Sequence, residues 1–542
     1  MPVSNSQDTH WLPSGMFLPG SNDEWKDLII KELKGISYDT LQSQTEDGIL
    51  LNPTYTREVE KTIPYFSDSA WFNFLRNINP PNLRTFQPDT NIFDQEKESN
   101  FSTDTLCLSI ADFGSTPKQL FLPNSSYWID MRFPYQTDKV EQLLQAGNKG
   151  FGRWDLAGVP MHTQWPADFS PYAFRADLYH HQGSNGTQEI AWVLHDLVQW
   201  LHEWTDKGFG VEQAQSLIHF RFSLGTDLMG SVSKIRAFRG LYFLLMKQYG
   251  IENPLQPQIL TDASLRYYSS LDSYNNVLRA GTGAFAALSS GCTTFEIHPF
   301  SSSGSEETGN RLGRNLIRLL KEESQVGRTA DPLGGAWALE SYTWQLMQEA
   351  EKLLQNTEAQ GNLADSYKKN ILEQTRFQLS QSFNKGKTRL IGVNYQAARY
   401  SVAPNVFSFQ GLPQPLFRLA EPFELLQSAA QSLPGYSIEF LCPEKFCQAR
   451  ADFIRQFMAV CGLYQTNDQS ALCIVCGKDE DYTTQETLDK IRNLSKELPL
   501  VLAGKPAEGM ELLKEAGIRD FIQINSDRIA LGKSLHQWMQ QA

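Results

Sequence analysis

Cys473-Ile-Val-Cys476 is the one Cys-x-x-Cys pair in the chain. Such a pair does redox exchange or metal ligation when a helix N-terminus lowers one thiol's pKa. Here it falls inside an apolar run, Ala471–Cys476, that reads as a strand. Residues three apart on a strand point to opposite faces, so the spacing predicts two diverging core thiols. His180-His181 precede a helix expected from about Thr187 and lack a carboxylate or third ligand at useful spacing, which predicts a solvated loop. His195 and His202 stand seven apart on the amphipathic stretch Gln188–Trp204. Zinc pairs favour i,i+4, so helix packing is expected there. The densest turn chemistry is Gly327-Arg-Thr-Ala-Asp-Pro-Leu-Gly-Gly335: Asp331-Pro332 starts a turn, and Gly334-Gly335 permits positive φ and close backbone approach. No P-loop, G-x-G-x-x-G, H-E-x-x-H or G-x-S-x-G stands in the sequence.

Composition narrows the class. The chain has 542 residues, with 48 Lys+Arg against 61 Asp+Glu and a net charge of −13. That charge repels phosphate backbones and anionic lipid surfaces, so neither nucleic acid nor a membrane is an expected partner. Seven cysteines (Cys107, Cys292, Cys442, Cys447, Cys461, Cys473, Cys476) are too few, and odd in number, for a disulfide framework. No apolar run approaches the ~18 residues a bilayer span needs, and the first residues lack the basic and apolar regions of a secretion signal. A cytoplasmic protein is expected.

The elements that must position any site follow from periodicity. Residues 1–100 read as an arm with one helix, Asp23–Gly35, followed by an extended stretch punctuated by Pro53, Pro64, Pro80, Pro81 and Pro88. Over 101–400, short apolar runs alternate with helix-period segments. Leu106–Ile110, Ser126–Met131, Ile218–Phe222, Phe295–His298 and Leu390–Gly392 are the expected strands, with helices such as Met229–Tyr249, Gly309–Glu323 and Ala350–Phe383. Five to seven such units over this length predict an α/β fold, a (β/α)8 barrel. Residues 401–434, with five prolines, read as a surface-hugging linker. Residues 435–542 then alternate four strands with four helices, a small doubly wound domain whose ligand crevice belongs at the strands' carboxyl ends.

Several separated stretches are similar to the methylmalonyl-CoA mutase family. They are Trp25…Lys31-Glu-Leu-Lys-Gly35…Leu41…Thr45-Glu-Asp-Gly-Ile49…Pro53-Thr-Tyr-Thr56, Lys234-Ile-Arg-Ala-Phe-Arg239, Asp272-Ser-Tyr-Asn-Asn-Val-Leu-Arg279, Glu322-Glu-Ser324, Asp331-Pro-Leu-Gly-Gly335 and Leu390-Ile-Gly-Val-Asn394. The resemblance implies an acyl-CoA-binding TIM barrel, a linker and a C-terminal cobalamin-binding-type, flavodoxin-like domain. It also implies isomerisation of methylmalonyl-CoA and succinyl-CoA with adenosylcobalamin.

The chain departs from that family where the chemistry is done. The family's cobalt-ligating Asp-x-His-x-x-Gly is matched here by Lys445, Cys447 and Arg450, and the C-terminal His536 lies far from that loop. Between Gly462 and Ala471 the chain is too short for the usual helix and strand, so a degenerate, truncated cofactor pocket is expected. Tyr268 stands at the position of the family's thioester-binding histidine. The region matching the family's tyrosine-bearing segment reads Trp71-Phe-Asn-Phe-Leu-Arg-Asn-Ile-Asn79. The resemblance therefore points to a non-catalytic small subunit beside a large catalytic mutase subunit, a heterodimer in which the partner holds adenosylcobalamin. No residue of this chain is expected to be catalytic, cofactor-binding or metal-ligating. Two alternatives stand beside it: an active mutase with substituted ligands, and a regulatory module that binds CoA thioesters. For residual acyl-CoA the candidate cations are Lys234, Arg236, Arg239 and Arg279, although a helix face such as Lys234–Arg239 reads more simply as solvated charge.

Overall fold

Strands covered on both faces read as unbroken apolar runs, and Ile218–Leu224 is such a strand, buried along its whole length. It belongs to a parallel sheet in the computed structural model, which describes residues 22–76, 84–87, 106–110, 126–129, 149–152, 161, 165, 169–298, 300, 306–398, 415–466, 470–506 and 508–541. In chain order the strands are β1 (Arg84–Gln87), β2 (Leu106–Ile110), β3 (Ser126–Ile129), β4 (Lys149–Gly152), β5 (Phe169–Ser170 and Tyr172–Arg175, interrupted at Pro171), β6 (Ile218–Leu224), β7 (Gln258–Ala263) and β8 (Thr294–Glu296). Each pairs in parallel with the next, and Thr294 of β8 pairs back onto Arg84 of β1, which closes the ring. This is an eight-stranded α/β barrel.

Three expectations are corrected. The strand expected at Leu390–Gly392 is only an isolated bridge, Ile391 to Tyr395. The long helix expected over Ala350–Phe383 is two helices, Trp337–Glu358 and Ala364–Asn384, parted at Gly361 with φ +52°. The barrel has eight strands where five to seven units were counted: β1 and β4 are only four residues long, Pro171 splits β5, and β7, Gln258–Ala263, carries the polar Thr261-Asp262 near its end.

Helices Gly186–Asp206, Leu228–Gln248 and Asn275–Ser289 pack around β5–β8. The first is started by a capping box, with the Asn185 side chain accepting from the Gln188 amide, and Asp227 caps the second. The second is buried nearly all round because Trp337–Glu358 covers its outer side. Asn275–Ser289 approaches the barrel through Gly283: a Cβ there would lie 2.9 Å from the Leu224 carbonyl oxygen and 3.0 Å from the Phe295 ring.

The second sheet holds β9 (Gly435–Phe440), β10 (Ser470–Cys476), β11 (Leu500–Ala503) and β12 (Ile518–Ile522), all parallel and in that order. Outside β9 runs the segment Tyr464–Thr466, joined to it by one parallel bridge: the Tyr436 amide donates to the Tyr464 carbonyl at 3.1 Å and the Thr466 amide to the Tyr436 carbonyl at 2.9 Å. The chain thus passes to the outer edge before returning to β10, and the strand order reverses at β9. The domain is flavodoxin-like, with its second strand reduced to a single bridge. Its core continues into the barrel, since Leu271, Phe383 and Val393 share one apolar cluster with Phe423 and Phe457.

Candidate functional site

Active sites of parallel barrels form at the carboxyl ends of the strands. At that end β6, β7 and β8 carry Arg221 and Ser223, Asp262, and Glu296, with His298 just beyond. The register sets Ser223 and Glu296 on either side of Asp262. Helix Ala176–Gln182, which follows β5, adds Asp177, His180 and His181. Asp262 is the hub. Its Oδ1 accepts from Ser223 at 2.5 Å, and its Oδ2 lies 3.2 Å from Nε2 of both His181 and His298 and 3.3 Å from Arg221 Nη2. Arg221 also pairs with Glu296 and, at 3.1 Å, with Asp177. Burial opposes ionisation of Asp262, but Arg221 and the two imidazoles outweigh it and hold the carboxyl well below its usual range.

His181, Asp262 and His298 bring their ligand atoms within 4.8 Å of one another, the spacing of a metal centre. The carboxylate is nevertheless fully engaged: Oδ1 has the serine, while Oδ2 has two imidazoles and a guanidinium. The trio is the centre of a hydrogen-bonded network at the carboxyl ends of β6–β8.

The expectation that His180-His181 sit in a solvated loop is overturned. Both are buried at a helix end. His180 lies 2.7 Å from Glu189 and 2.5 Å from Ser264, and burial, with the nearby cations Arg266 and Lys234, lowers its pKa well below the ordinary value. The sequence signal that was missed is the pattern of polar residues at strand ends (Leu-Thr-Asp262, Phe-Glu296-Ile-His298), which is where a barrel gathers its polar groups.

Lys234, Arg236 and Arg239 are likewise no solvated face: they are 6 %, 1 % and 2 % exposed. Lys234 bonds Glu189 Oε2 and the Ser223 carbonyl, both at 2.6 Å. Arg236 forks between Asp331 and Glu340, and the Glu340 carboxylate also takes the Gly335 amide at 2.7 Å. So the motif Lys234–Arg239 and the turn Asp331–Gly335, far apart in sequence, form one internal ion cluster. Arg239 donates to the Gly291 carbonyl, and Arg279 to Asn276 and the Ile391 carbonyl. These four cations are committed to the fold, so none of them is a free receptor for an acyl-CoA phosphate.

Two segments pack beside the carboxyl ends of β5–β7. From the arm, the turn at Thr45–Ile49 inserts Asp47, which accepts from the Thr187 amide at 2.9 Å and Tyr342 at 3.2 Å, and Glu46, which accepts from Tyr267 at 2.8 Å. Burial raises the pKa of both carboxyls. The described part of the expected linker, 415–434, is no surface run. Phe417 and Leu419 donate their amides to the His181 and Arg266 carbonyls at 2.8 and 3.0 Å, and Arg418 pairs with Glu424. Tyr268 is buried beneath this strap with its hydroxyl 3.3 Å from the His298 carbonyl oxygen. Trp71 and Phe74 are core residues of a short helix, Ser69–Arg76, while residues 77–79 of that expected region lie outside the described residues.

In the C-terminal domain a cleft of about 900 Å³ opens at the carboxyl ends of β9–β12, lined by Lys445, Cys447, Arg450, Gly477, Gly504 and Ile522 among others. This corrects the expectation of a truncated pocket: the space survives beside Cys447 even though the second strand does not. Its donor chemistry, however, does not fit a cobalt-bound corrinoid. Cys447 starts the helix Gln448–Val460, yet burial pushes its thiol up, and it shares its surroundings with the Cys442 and Cys476 thiols. No histidine lines the cleft among the described residues, so the imidazole donor is absent from its wall. Arg450 reaches across the strand ends, donating to the Gly477 carbonyl at 2.6 Å, Tyr482 at 3.1 Å and Asp479 at 2.8 Å, and it lies against Gly504. His536 is outside the cleft, buried with Nε2 2.9 Å from the Cys461 carbonyl oxygen. Cys473 and Cys476 face opposite sides of β10 in separate apolar clusters, as the strand spacing predicts. His195 is bound to Glu358 at 2.7 Å, a helix-packing contact, while His202 is exposed.

Comparison with known proteins places these features. A family model described as methylmalonyl-CoA mutase matches residues 166–409. The chain is 22% identical to the methylmalonyl-CoA mutase small subunit of Porphyromonas gingivalis, over 94% of this chain and 96% of that one. It is 27% identical to the methylmalonyl-CoA mutase of Escherichia coli over 39% of this chain and 31% of the relative. A probable methylmalonyl-CoA mutase small subunit of Mycobacterium tuberculosis is 31% identical over 35% of this chain and 32% of its own. The match thus spans about a third of the length of the latter two relatives.

Proposed function

The chain belongs to the methylmalonyl-CoA mutase family, and on that premise we propose that it is the small, non-catalytic subunit, a scaffold for a larger mutase chain that carries adenosylcobalamin and the isomerisation. The observation that carries this reading is the pair Cys447 and Arg450. A thiol on the cleft wall stands in the place of a metal-binding imidazole, and a guanidinium spans that wall where the family has glycine. Metal sites depend on the groups that orient the ligand as much as on the ligand, and Lys445 in place of the acid removes that support as well. The likeness to a small subunit along nearly the whole chain supports the same assignment.

Homolysis of a cobalt–carbon bond needs a seated corrinoid and a dry substrate channel. Among the described residues, the carboxyl ends of β5–β8 are occupied by the chain's own Asp262 network, with Asp47 and the 415–420 strap packed beside it. Co-expression with a full-length mutase chain is expected to give a stable heterodimer burying more than about 2,000 Å², as obligate partners do. The isolated chain, incubated with adenosylcobalamin and gel-filtered, is expected to retain no corrinoid absorbance and to leave methylmalonyl-CoA unchanged. Turnover by the lone chain would overturn the assignment.

A further inference from the structure

A second cavity, of about 520 Å³, lies in the seam between the barrel's outer helix Ala364–Asn384 and the C-terminal domain. Lys385, Lys387 and Arg389 line it from the loop after that helix, and Arg528 from the start of the last helix, Arg528–Gln541. No Asp or Glu lines it among the described residues. In a chain of net charge −13, four cations gathered on one cavity with no carboxylate in its described lining make a local positive field that favours an anion. Burial and the like charge of Arg389 both lower the Arg528 pKa, with the adjacent Asp527 opposing them. That aspartate is occupied in capping, accepting from the Ile529 and Ala530 amides at 3.0 and 2.9 Å.

Three rings, Tyr395, Phe453 and Phe457, stand in the lining, and two of them carry arginines. Arg389 lies over the Tyr395 ring at 4.7 Å, Arg528 lies over Phe457 at 5.8 Å, and Phe453, Ile524 and Asn525 line both this cavity and the cleft beside Cys447. Arg528 is held across the seam by donating to the Asn384 carbonyl at 3.3 Å. Lys387 and Arg389 are exposed. Clustered cations bind phosphate oxygens, and the half-buried Phe453 ring with the exposed carboxamides Gln456 and Asn525 offers a surface for a planar base.

We propose that this seam is a nucleotide site: it takes the phosphates of a nucleoside di- or triphosphate, or of the nucleotide end of a coenzyme A ester, and so clamps the C-terminal domain to the barrel. The seam has this chemistry whether or not the chain is a small subunit, so the two assignments stand or fall separately.

The test is calorimetric titration of the full chain with ADP, coenzyme A, pyrophosphate and orthophosphate, repeated with the double variant Lys387→Glu/Arg389→Glu. The expected result is one saturable site for ADP or coenzyme A, weakened on the order of tenfold or more in the double variant, with an unchanged unfolding midpoint for the unliganded variant. A free-nucleotide site binds ADP at least as well as coenzyme A, and a carrier site binds coenzyme A better. Each outcome supports the seam and identifies its source. As a second readout that does not depend on the variant, the affinity of the unmodified chain is expected to fall steadily with ionic strength. The proposal is overturned if no saturable binding occurs up to about 5 mM ligand. It is also overturned if orthophosphate binds as tightly as ADP, or if the double variant binds like the unmodified chain.

Discussion

Arg450 donates to the Gly477 carbonyl oxygen at 2.6 Å, tying the helix after Cys447 to the loop that leaves β10. The contact turns a crevice made for a ligand into one partly braced by the chain itself. Arg450→Ala removes donors to Gly477, Tyr482 and Asp479 and is expected to lower the C-terminal domain's stability by about 1–2 kcal/mol. The urea midpoint reads this. The variant is still expected to retain no corrinoid after gel filtration, because the added room leaves the Cys447 thiol unchanged. Retained corrinoid would show that Arg450 alone was the obstacle.

Arg236 forks between Asp331 and Glu340, and all three side chains are about 1 % exposed. Arg236→Ala leaves Glu340 buried without its cation and Asp331 with only Arg76 at 3.7 Å, and is expected to cost about 3–5 kcal/mol. Arg236→Lys recovers only part of this, since an ammonium lacks the planar fork that reaches both acids. Denaturant unfolding of both variants checks the order: Ala least stable, Lys between, the unmodified chain most stable.

Acidification acts on His180 and Glu189 in opposite directions. The His180 pKa is lowered in the folded chain by burial first and then by Arg266 and Lys234, so below its ordinary value of 6.5 the unfolded chain binds the extra proton. That contribution to stability is present above pH 6.5 and lost as pH falls. Burial raises the Glu189 carboxyl to about 7 from 4.5, so its contribution is present below 4.5 and lost as pH rises to about 7. Between these limits the two slopes offset each other. Glu189→Gln is therefore expected to be destabilised further by a shift from pH 7 to pH 5 than the unmodified chain is. Unfolding free energies at the two pH values check it, and a pH slope no steeper than the unmodified chain's would refute it.

Gly281 and Gly283 lie on the same helix but face different neighbours. A Cβ at Gly281 meets only Leu316 at 3.6 Å, whereas one at Gly283 meets the Leu224 carbonyl oxygen at 2.9 Å. Gly281→Ala is expected to stabilise by up to about 1 kcal/mol through helix propensity. Gly283→Ala is expected to destabilise by about 1–3 kcal/mol because the helix must retreat from the barrel. Thermal melts of the pair are expected to shift in opposite directions.

The sequence by itself determined the class of fold and the family. Strand-then-helix alternation is a local, periodic signal, and the diverging faces of Cys473 and Cys476 follow from strand geometry alone. The substitutions Lys445, Cys447, Arg450 and Tyr268 were readable because each is an identity at a motif position. Tertiary structure alone decided where charge resides. Lys234, Arg236, His180 and His181 sit in polar sequence and read as solvated, yet their partners Glu189, Asp331, Glu340 and Asp262 arrive from elements up to 104 residues away. A buried ion pair has no period in the sequence, because its two halves are matched only across the packed core. The same holds for the cleft beside Cys447, whose space is set by how β9–β12 end together, and for the basic seam, whose cations come from two domains.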